Sequence, residues 1–201
     1  MQGSVLGPVQ FILYPEDITA VFDKHGIKRH HLFTDDKQLL TSVTVTDVSV
    51  AKSNTKACIA DVLACCVTHR LQLNSSKTEV IWLGTRYRLQ QLAGADLNIT
   101  IGADIIKPST IVHDLGVLND AMLTLQQHVS KLTSSCFFQL RRLQEVHKYV
   151  NQQLLKQLVH AFIISRLDYC NCILAGLPKC VILQLQRVQN AAARLIFGLR
   201  P

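Results

Sequence analysis

The 201-residue sequence predicts an α+β fold, in which a partial antiparallel sheet with packed helices precedes a region of helices alone. Short β-prone runs bounded by turn residues are concentrated before residue 118, and apolar residues recur at helical spacing from Leu123 onward. The charge distribution changes at about the same place. Residues 1–120 contain 11 Lys/Arg and 12 Asp/Glu, whereas residues 121–201 contain 10 Lys/Arg and 2 Asp/Glu. We therefore expect two domains, over residues 1–118 and 119–201.

The elements of the first half follow from turn residues and periodicity. Gly7-Pro8 predicts a helix start, and Pro15 should end or kink that helix. The acidic pair Asp35-Asp36 lies between an apolar run and a β-prone run, which predicts a tight hairpin between two strands. A polar connector at 52–54 should lead into a helix. Its apolar face is predicted to contain Cys58, Ile59, Val62, Leu63, Cys66 and Val67. Further strands are predicted at 80–84, 97–101 and 111–117, with a turn at 102–104.

Three helices are predicted in the second half. The first spans about 126–147, with an apolar stripe at helical spacing. Asn151 can cap the second, because an asparagine side chain accepts a hydrogen bond from the first helical turn. The third should run over 181–197 and end at Gly198.

The adjacent carboxylates Asp35 and Asp36 are the strongest candidates for metal ligands. Side chains alternate faces along a strand, so one carboxylate can point at a metal while its neighbour points elsewhere. Hard cations such as Mg²⁺ prefer oxygen ligands and often share them with substrate phosphates. Most isolated Asp-Asp pairs are solvated turn residues, so the prediction depends on the surrounding motifs.

Several motifs accompany the acidic pair in a definite order. They are Gln2-Gly3-Ser4-Val5-Leu6-Gly7-Pro8, Phe33-Thr34-Asp35-Asp36, Asn74-Ser75-Ser76-Lys77-Thr78-Glu79, Asp114-Leu115-Gly116-Val117, and the tail with Leu167-Asp168-Tyr169-Cys170-Asn171 and residues 185–194. This order resembles the reverse transcriptase of non-LTR retrotransposons (long interspersed elements), from the middle of the palm through the thumb. The resemblance covers essentially all 201 residues.

The resemblance implies RNA-directed DNA synthesis, with an RNA template, a DNA primer, deoxynucleoside triphosphates and Mg²⁺ (or Mn²⁺). It implies that Asp35 is a metal ligand with Asp36 assisting, and that Lys77 donates a proton or positive charge to pyrophosphate. Leu115 and Gly116 correspond to the primer grip. The residues implied beside the incoming nucleotide are Gln2, Gly3, Ser4, Phe33 and Thr34.

Basic residues in the predicted helices could contact the template–primer backbone. These are Lys131, Arg141, Arg142, Lys148, Lys156 and Arg166. Such contacts supply salt-dependent affinity that does not depend on base sequence. The alternative is scattered surface charge that solubilises the helices.

The family's other metal-binding aspartate lies upstream of Gln2, and so do its fingers. By itself the chain is therefore expected not to polymerise DNA. The alternative functions are a non-catalytic fragment that binds nucleic acid and a decayed reading frame without selected function. Pro15 and Cys65, which stand where the family has an apolar β-branched residue and a large aromatic, favour decay.

Composition excludes other classes of protein. No apolar run has the length of a membrane span, and no secretion signal precedes the short run at 9–14, so we expect no membrane partner. The seven cysteines form no Cys-x-x-Cys pair, and reduced thiols suit the nucleus or cytosol. Cys170, Cys172 and Cys180 with His160 fit no usual zinc spacing. The sequence makes no prediction of oligomeric state.

Overall fold

The structure is a computed structural model that describes residues 17–34 and 36–199. Helices and small antiparallel ribbons occur together, which confirms the α+β class. The chain forms two compact units that divide between Thr110 and Ile111. The predicted helix start at Gly7-Pro8 and the interruption at Pro15 lie outside the described residues.

In its described residues, 17–34 and 36–110, the first unit contains three α-helices and two hairpins. Its elements are α1 (Asp17–Lys24), β1 (Arg29–Phe33), β2 (Asp36–Leu40), α2 (Val48–Thr68), α3 (Arg86–Gln91), β3 (Ile99–Ile101) and β4 (Asp104–Ile106). Its core joins α1, α2 and the loop after α1. The buried members are Ile18, Phe22, Ile27, Cys58, Val62 and Cys66. The buried Cys58, Val62 and Cys66 confirm part of the predicted apolar face of α2, but Val67, which is 74% exposed, does not belong to it.

The predicted polar connector at 52–54 is wrong, because these residues lie inside α2. Their polar side chains form tertiary contacts and do not break the helix. The Lys52 ammonium lies 2.9 Å from an Asp96 carboxylate oxygen, and the Asn54 side-chain amide donates to the His25 carbonyl at 2.9 Å. The helix therefore continues through a stretch whose composition is typical of a loop.

The predicted strand at 80–84 is also wrong, because the structure assigns no strand to these residues. The segment contacts neighbouring parts of the chain through isolated hydrogen bonds and does not form the ladder of backbone hydrogen bonds that defines a strand. The Val80 carbonyl accepts from the Ser109 amide at 2.8 Å, and the Trp82 indole donates to the Leu97 carbonyl at 3.4 Å. The strand predicted at 97–101 is confirmed over 99–101, and Gly102, with φ of 61°, lies in the predicted turn.

The second unit, over its described residues 111–199, contains one hairpin, four α-helices and a π-helical segment. Its elements are β5 (Ile111–Asp114), β6 (Val117–Asp120), α4 (Gln126–Val146), α5 (Gln152–Val159), a π-helical segment (His160–Ile164), α6 (Ser165–Asp168) and α7 (Lys179–Phe197). The single strand predicted at 111–117 is instead a hairpin. The three predicted helices are confirmed. The Asn151 side chain accepts from the Leu154 amide at 2.8 Å, and Gly198 ends α7 with φ of 63°.

The core of the second unit lies among α4, α5, the π-helical segment, α6 and α7. Its buried members are Val129, Cys136, Leu140, Leu143, Val159, Ile163, Leu167, Val181, Leu185, Val188 and Ala192. Leu155, Val159, Ile163 and Leu167 follow one another at intervals of four and are all buried. In a regular α-helix, side chains at intervals of four residues are each displaced further around the helix axis. The wider turn of the π-helical segment reduces this displacement and keeps the four side chains on one face.

His128 attaches the hairpin of the second unit to α4. Its imidazole is buried, and its Nδ1 accepts from the Leu118 amide at 3.4 Å. Burial, with repulsion from His113 and Lys131, lowers the pKa of His128 below its usual value. Between the folded-state and unfolded-state pKa values of His128, the unfolded chain therefore binds more protons than the folded one. Protonation of His128 favours unfolding.

We expect the second unit to lose stability as pH falls below about 6.5, the pKa of an unperturbed histidine. The contribution of His128 is fully present above that pH and declines as pH falls toward its lower folded-state pKa. Hydrogen exchange of the α4 amides between about pH 5 and 7.5 should reveal this loss, after correction for intrinsic exchange rates. His128→Leu should flatten the dependence, whereas His147→Leu, at the end of α4, should leave it in place. Equal slopes in His128→Leu and the wild type would contradict the prediction.

Candidate functional site

A β1–β2 hairpin forms where the sequence predicts it, and Asp36 is the first residue of β2. The strands are antiparallel, and Phe33, the last residue of β1, pairs with Asp36, the first residue of β2. Thr34 follows β1 and begins the connection between the strands. Asp35 itself lies outside the described residues, as do the nucleotide-loop candidates Gln2, Gly3 and Ser4. The Asp36 side chain is exposed at the start of β2, next to the turn.

Thr34 adopts a backbone conformation that is unusual for its residue type. Its φ is 51°, in the left-handed region that glycine and asparagine prefer and β-branched residues avoid. Its hydroxyl donates to the Phe33 carbonyl at 2.7 Å. A two-residue hairpin needs positive φ in its connection, so the tight turn is formed despite the side chain.

The hairpin is attached to the core through one of its faces. Leu32 and Leu39 pack against the core of the first unit, while Phe33 and Leu40 on the opposite face are about half exposed. The same alternation places Asp36 on the exposed face beside Phe33. The two candidate residues Phe33 and Asp36 are therefore neighbours on a surface accessible to a ligand.

Lys77 lies at the end of a short 3-10 turn, Ser75–Lys77, and its side chain is exposed. The Asn74 side chain accepts from the Ser76 amide at 3.1 Å and so fixes this turn. In the described part of the first unit, no hydrogen bond or ion pair joins Lys77 to Asp36. Lys77 and Asp36 are therefore not already in contact as a proton donor and a carboxylate.

The turn at Leu115 and Gly116 is the tip of the β5–β6 hairpin. Both residues have positive φ, 43° and 87°, as a type I′ hairpin turn requires. Tyr169, at the end of α6, donates its phenolic hydrogen to the Leu115 carbonyl at 2.6 Å. Its ring carbon would lie 3.2 Å from a β-carbon placed on Gly116. The side chain of a distant residue thus closes over the candidate primer-grip turn.

Three of the six predicted backbone-binding cations gather on one flank of α4. Lys131, Ser135, Phe138 and Arg142 are spaced by four, three and four residues, so they form one row on the helix. Arg166 joins this row because its guanidinium donates to the Ser135 hydroxyl at 2.6 Å. We call Lys131, Ser135, Phe138, Arg142 and Arg166 the α4 strip.

The other three cations lie elsewhere on the second unit. Arg141 bonds through Nε to the Phe137 carbonyl at 3.5 Å, and Lys148 is exposed in the turn after α4. The Lys156 ammonium lies 5.9 Å from the centre of the Phe197 ring. The six predicted residues therefore do not form a single surface.

No lysine or arginine of the second unit forms an ion pair among the residues that the structure describes. The lysine–carboxylate pairs Lys24–Asp61 and Lys52–Asp96 both lie in the first unit. Glu145, one turn after Arg142, forms no ion pair with it in the described chain. Unpaired cations on a helical surface are available to an external polyanion.

A Cys–His–Asp arrangement in the first unit was not found from the sequence. Cys65 Sγ lies 3.6 Å from His69 Nδ1, and His69 Nε2 lies 3.2 Å from an Asp17 carboxylate oxygen. Nδ1 is closer to the Cys65 carbonyl, at 2.9 Å, and donates its hydrogen there, so it cannot accept the thiol proton. Burial, with the nearby Cys66 and Asp17, also raises the pKa of the Cys65 thiol. The arrangement closes the C-terminal end of α2 and does not activate a nucleophile.

In residues 17–34 and 36–199, no cluster of three or more His, Cys, Asp or Glu side chains is arranged to hold a metal ion. The same residues contain no helix with the length and apolarity needed to cross a membrane. Comparison with models of known protein families, with curated proteins and with solved structures gives no match.

Proposed function

We propose that the chain is part of the RNA-directed DNA polymerase of a non-LTR retrotransposon, with a portion of the palm in the first unit and the thumb in the second. The observation that carries the proposal is the β1–β2 hairpin, in which Asp36 opens β2 directly opposite Phe33. An acidic pair at the tip of a two-stranded ribbon is the arrangement that the motif resemblance implies for nucleotidyl transfer.

The proposed metal is Mg²⁺ or Mn²⁺, and its carboxylate ligands would be Asp35 and Asp36. Asp36 offers an exposed oxygen donor of the type that these cations prefer. Among the described residues it is a single carboxylate without a second or third donor, so these residues do not themselves make a complete site. Asp36 is therefore one proposed ligand of a site that needs further donors.

A second candidate function is binding of nucleic acid without catalysis. It is favoured by the second unit, whose lysines and arginines form no ion pairs in the part of the chain that the structure describes. Such a surface binds an RNA template paired with a DNA primer through phosphate contacts. This function requires the second unit but neither Asp35 nor Asp36.

We expect the full chain to bind a fluorescent RNA–DNA template–primer with affinity that falls steeply between about 50 and 200 mM salt. Arg141→Ala with Arg142→Ala should weaken binding about tenfold and reduce the salt slope by about two. Anisotropy titrations over a salt series measure both quantities. Arg86→Ala with Arg88→Ala, two exposed arginines of α3, is the matched control and should change binding less than about twofold.

Asp35→Ala separates the two functions. Primer extension that is present in the wild type and lost in Asp35→Ala supports the polymerase. Binding that survives Asp35→Ala, without extension in either protein, supports the non-catalytic function. A wild-type chain that neither extends a primer nor binds the template–primer would contradict both.

A further inference from the structure

Phe138 is an aromatic side chain exposed in the middle of a basic row. It lies on the α4 strip between Ser135 and Arg142, and 53% of its surface is accessible. The buried face of α4 points the other way, toward the core that contains Cys136 and Leu140. Packing within the unit therefore does not account for a large apolar ring at this position.

One guanidinium group lies next to this ring, and a second is held on the preceding helical turn. The Arg142 guanidinium carbon lies 5.8 Å from the ring centre, on the helical turn after Phe138. Arg166 is bonded to Ser135, on the turn before it. Each turn of the helix advances about 5.4 Å, so cations lie on both sides of the ring within about one turn. Neither guanidinium has a carboxylate partner among the described residues.

We propose that the α4 strip binds single-stranded nucleic acid, with an unpaired base stacked on Phe138 and adjacent phosphates contacted by Arg142, Arg166 and Lys131. This inference rests on the proposed nucleic-acid binding and adds that the α4 strip contacts an unpaired part of the strand. Every unpaired base has an aromatic face that can stack on a phenyl ring, so the contact tolerates any sequence. Bases in a duplex are already stacked on one another and offer no such face.

An acidic peptide is the competing ligand for a basic surface. Its carboxylates would match the guanidinium groups of the strip. It would not in general supply a planar ring for Phe138, whereas every nucleotide supplies a phosphate and a base together. The combination of ring and cations therefore favours a nucleic acid.

The chain contains a matched control for Phe138. Phe197, at the end of α7, is 61% exposed, and the Lys156 ammonium lies 5.9 Å from its ring centre. Both rings are thus exposed phenylalanines with one cation nearby, and neither belongs to the buried core. Only Phe138 belongs to the basic row of the α4 strip.

The test uses Phe138→Trp and Phe197→Trp in the full chain, each with the native Trp82 as a shared background. The probes are an unlabelled single-stranded oligonucleotide, the same sequence as a duplex, and polyglutamate. We expect the single strand to quench the additional fluorescence of Phe138→Trp and to leave that of Phe197→Trp unchanged. Phe138→Ala should weaken single-strand binding about tenfold, with the salt slope unchanged because no charge is removed.

Several results would overturn the inference. Equal quenching of the two tryptophan variants would do so, as would full single-strand affinity in Phe138→Ala. Quenching of Phe138→Trp by polyglutamate to the same extent would identify an acidic protein partner instead, and equal quenching by the duplex would remove the preference for single strands. A wild-type chain that binds no nucleic acid in any form would reject the proposed function itself.

Discussion

Asp120→Ala is expected to destabilise the second unit by about 3 kcal/mol, because it removes a charged acceptor shared by several backbone amides. The two carboxylate oxygens of Asp120 accept from the amides of Met122, Thr124 and Leu125 at 3.3, 3.0 and 2.7 Å. These residues form the connection between β6 and α4, in which Leu123 and Leu125 have positive φ. Without the carboxylate, the amides lose their acceptor and the strained connection loses its support.

The pKa of Asp120 supports the same role for the carboxylate. Burial alone would raise this pKa, but hydrogen bonds from Thr124 and Leu125 outweigh burial and hold it below the usual value. The stabilisation is therefore present above about pH 3.9, the pKa of an unperturbed aspartate, and is lost as pH falls toward the folded-state pKa. Chemical denaturation at neutral pH, with hydrogen exchange of the α4 amides, measures the effect of the substitution.

Two variants test whether the hydrogen bonds are responsible. Asp120→Asn retains one acceptor oxygen and should lose less stability than Asp120→Ala. Glu145→Ala removes an exposed carboxylate near the end of α4 and should change stability by less than about 0.5 kcal/mol. If Asp120→Ala and Glu145→Ala lose the same stability, the proposed role of Asp120 is wrong.

The helices of the second unit were predictable because the information that forms them is local. The predicted span of 126–147 differs from α4 by one residue, and the cap at Asn151 and the end at Gly198 are correct. The spacing of apolar residues identifies the buried face of a helix. A capping residue at each end helps to satisfy the backbone N–H and C=O groups that have no hydrogen-bond partner within the helix. Neither signal requires knowledge of what lies elsewhere in the chain.

The strands were less predictable because a strand needs a partner. Residues 80–84 have strand-like composition, but they pair through one backbone bond to Ser109 and form no ladder. Residues 111–117 were predicted as one strand and turn back at Leu115 and Gly116. Leucine rarely adopts positive φ, so the glycine alone marked this turn in the sequence.

The candidate site shows the same contrast. The hairpin tip could be predicted because Phe33 and Asp36 lie three residues apart. The α4 strip could not, because Arg166 reaches Ser135 across 31 residues of sequence. The contact between Tyr169 and Leu115 spans 54 residues and was likewise missed. Periodicity describes one helix at a time, whereas these contacts depend on how separate elements pack.

Gly116→Ala should be the most damaging glycine substitution in the two hairpins for which the structure describes the turn glycine, β3–β4 and β5–β6. Its φ of 87° is unfavourable for any residue with a β-carbon, and that carbon would lie 3.2 Å from the Tyr169 ring. The ring cannot move away freely, because its hydroxyl donates to the Leu115 carbonyl next to the glycine. We expect a loss of about 2–3 kcal/mol, from the backbone penalty and the displaced ring together. Denaturation curves and hydrogen exchange of the β5–β6 amides measure it.

Gly102→Ala is the matched control. Gly102 also lies in a two-residue hairpin turn with positive φ, 61°, but a β-carbon there would meet no atom within 4 Å. It should therefore cost only the backbone penalty, about 1 kcal/mol. Tyr169→Ala combined with Gly116→Ala isolates the contact: if the ring is the obstacle, the double variant loses less stability than the sum of the two single variants. Strict additivity would show that the backbone conformation of Gly116, and not Tyr169, sets the whole cost.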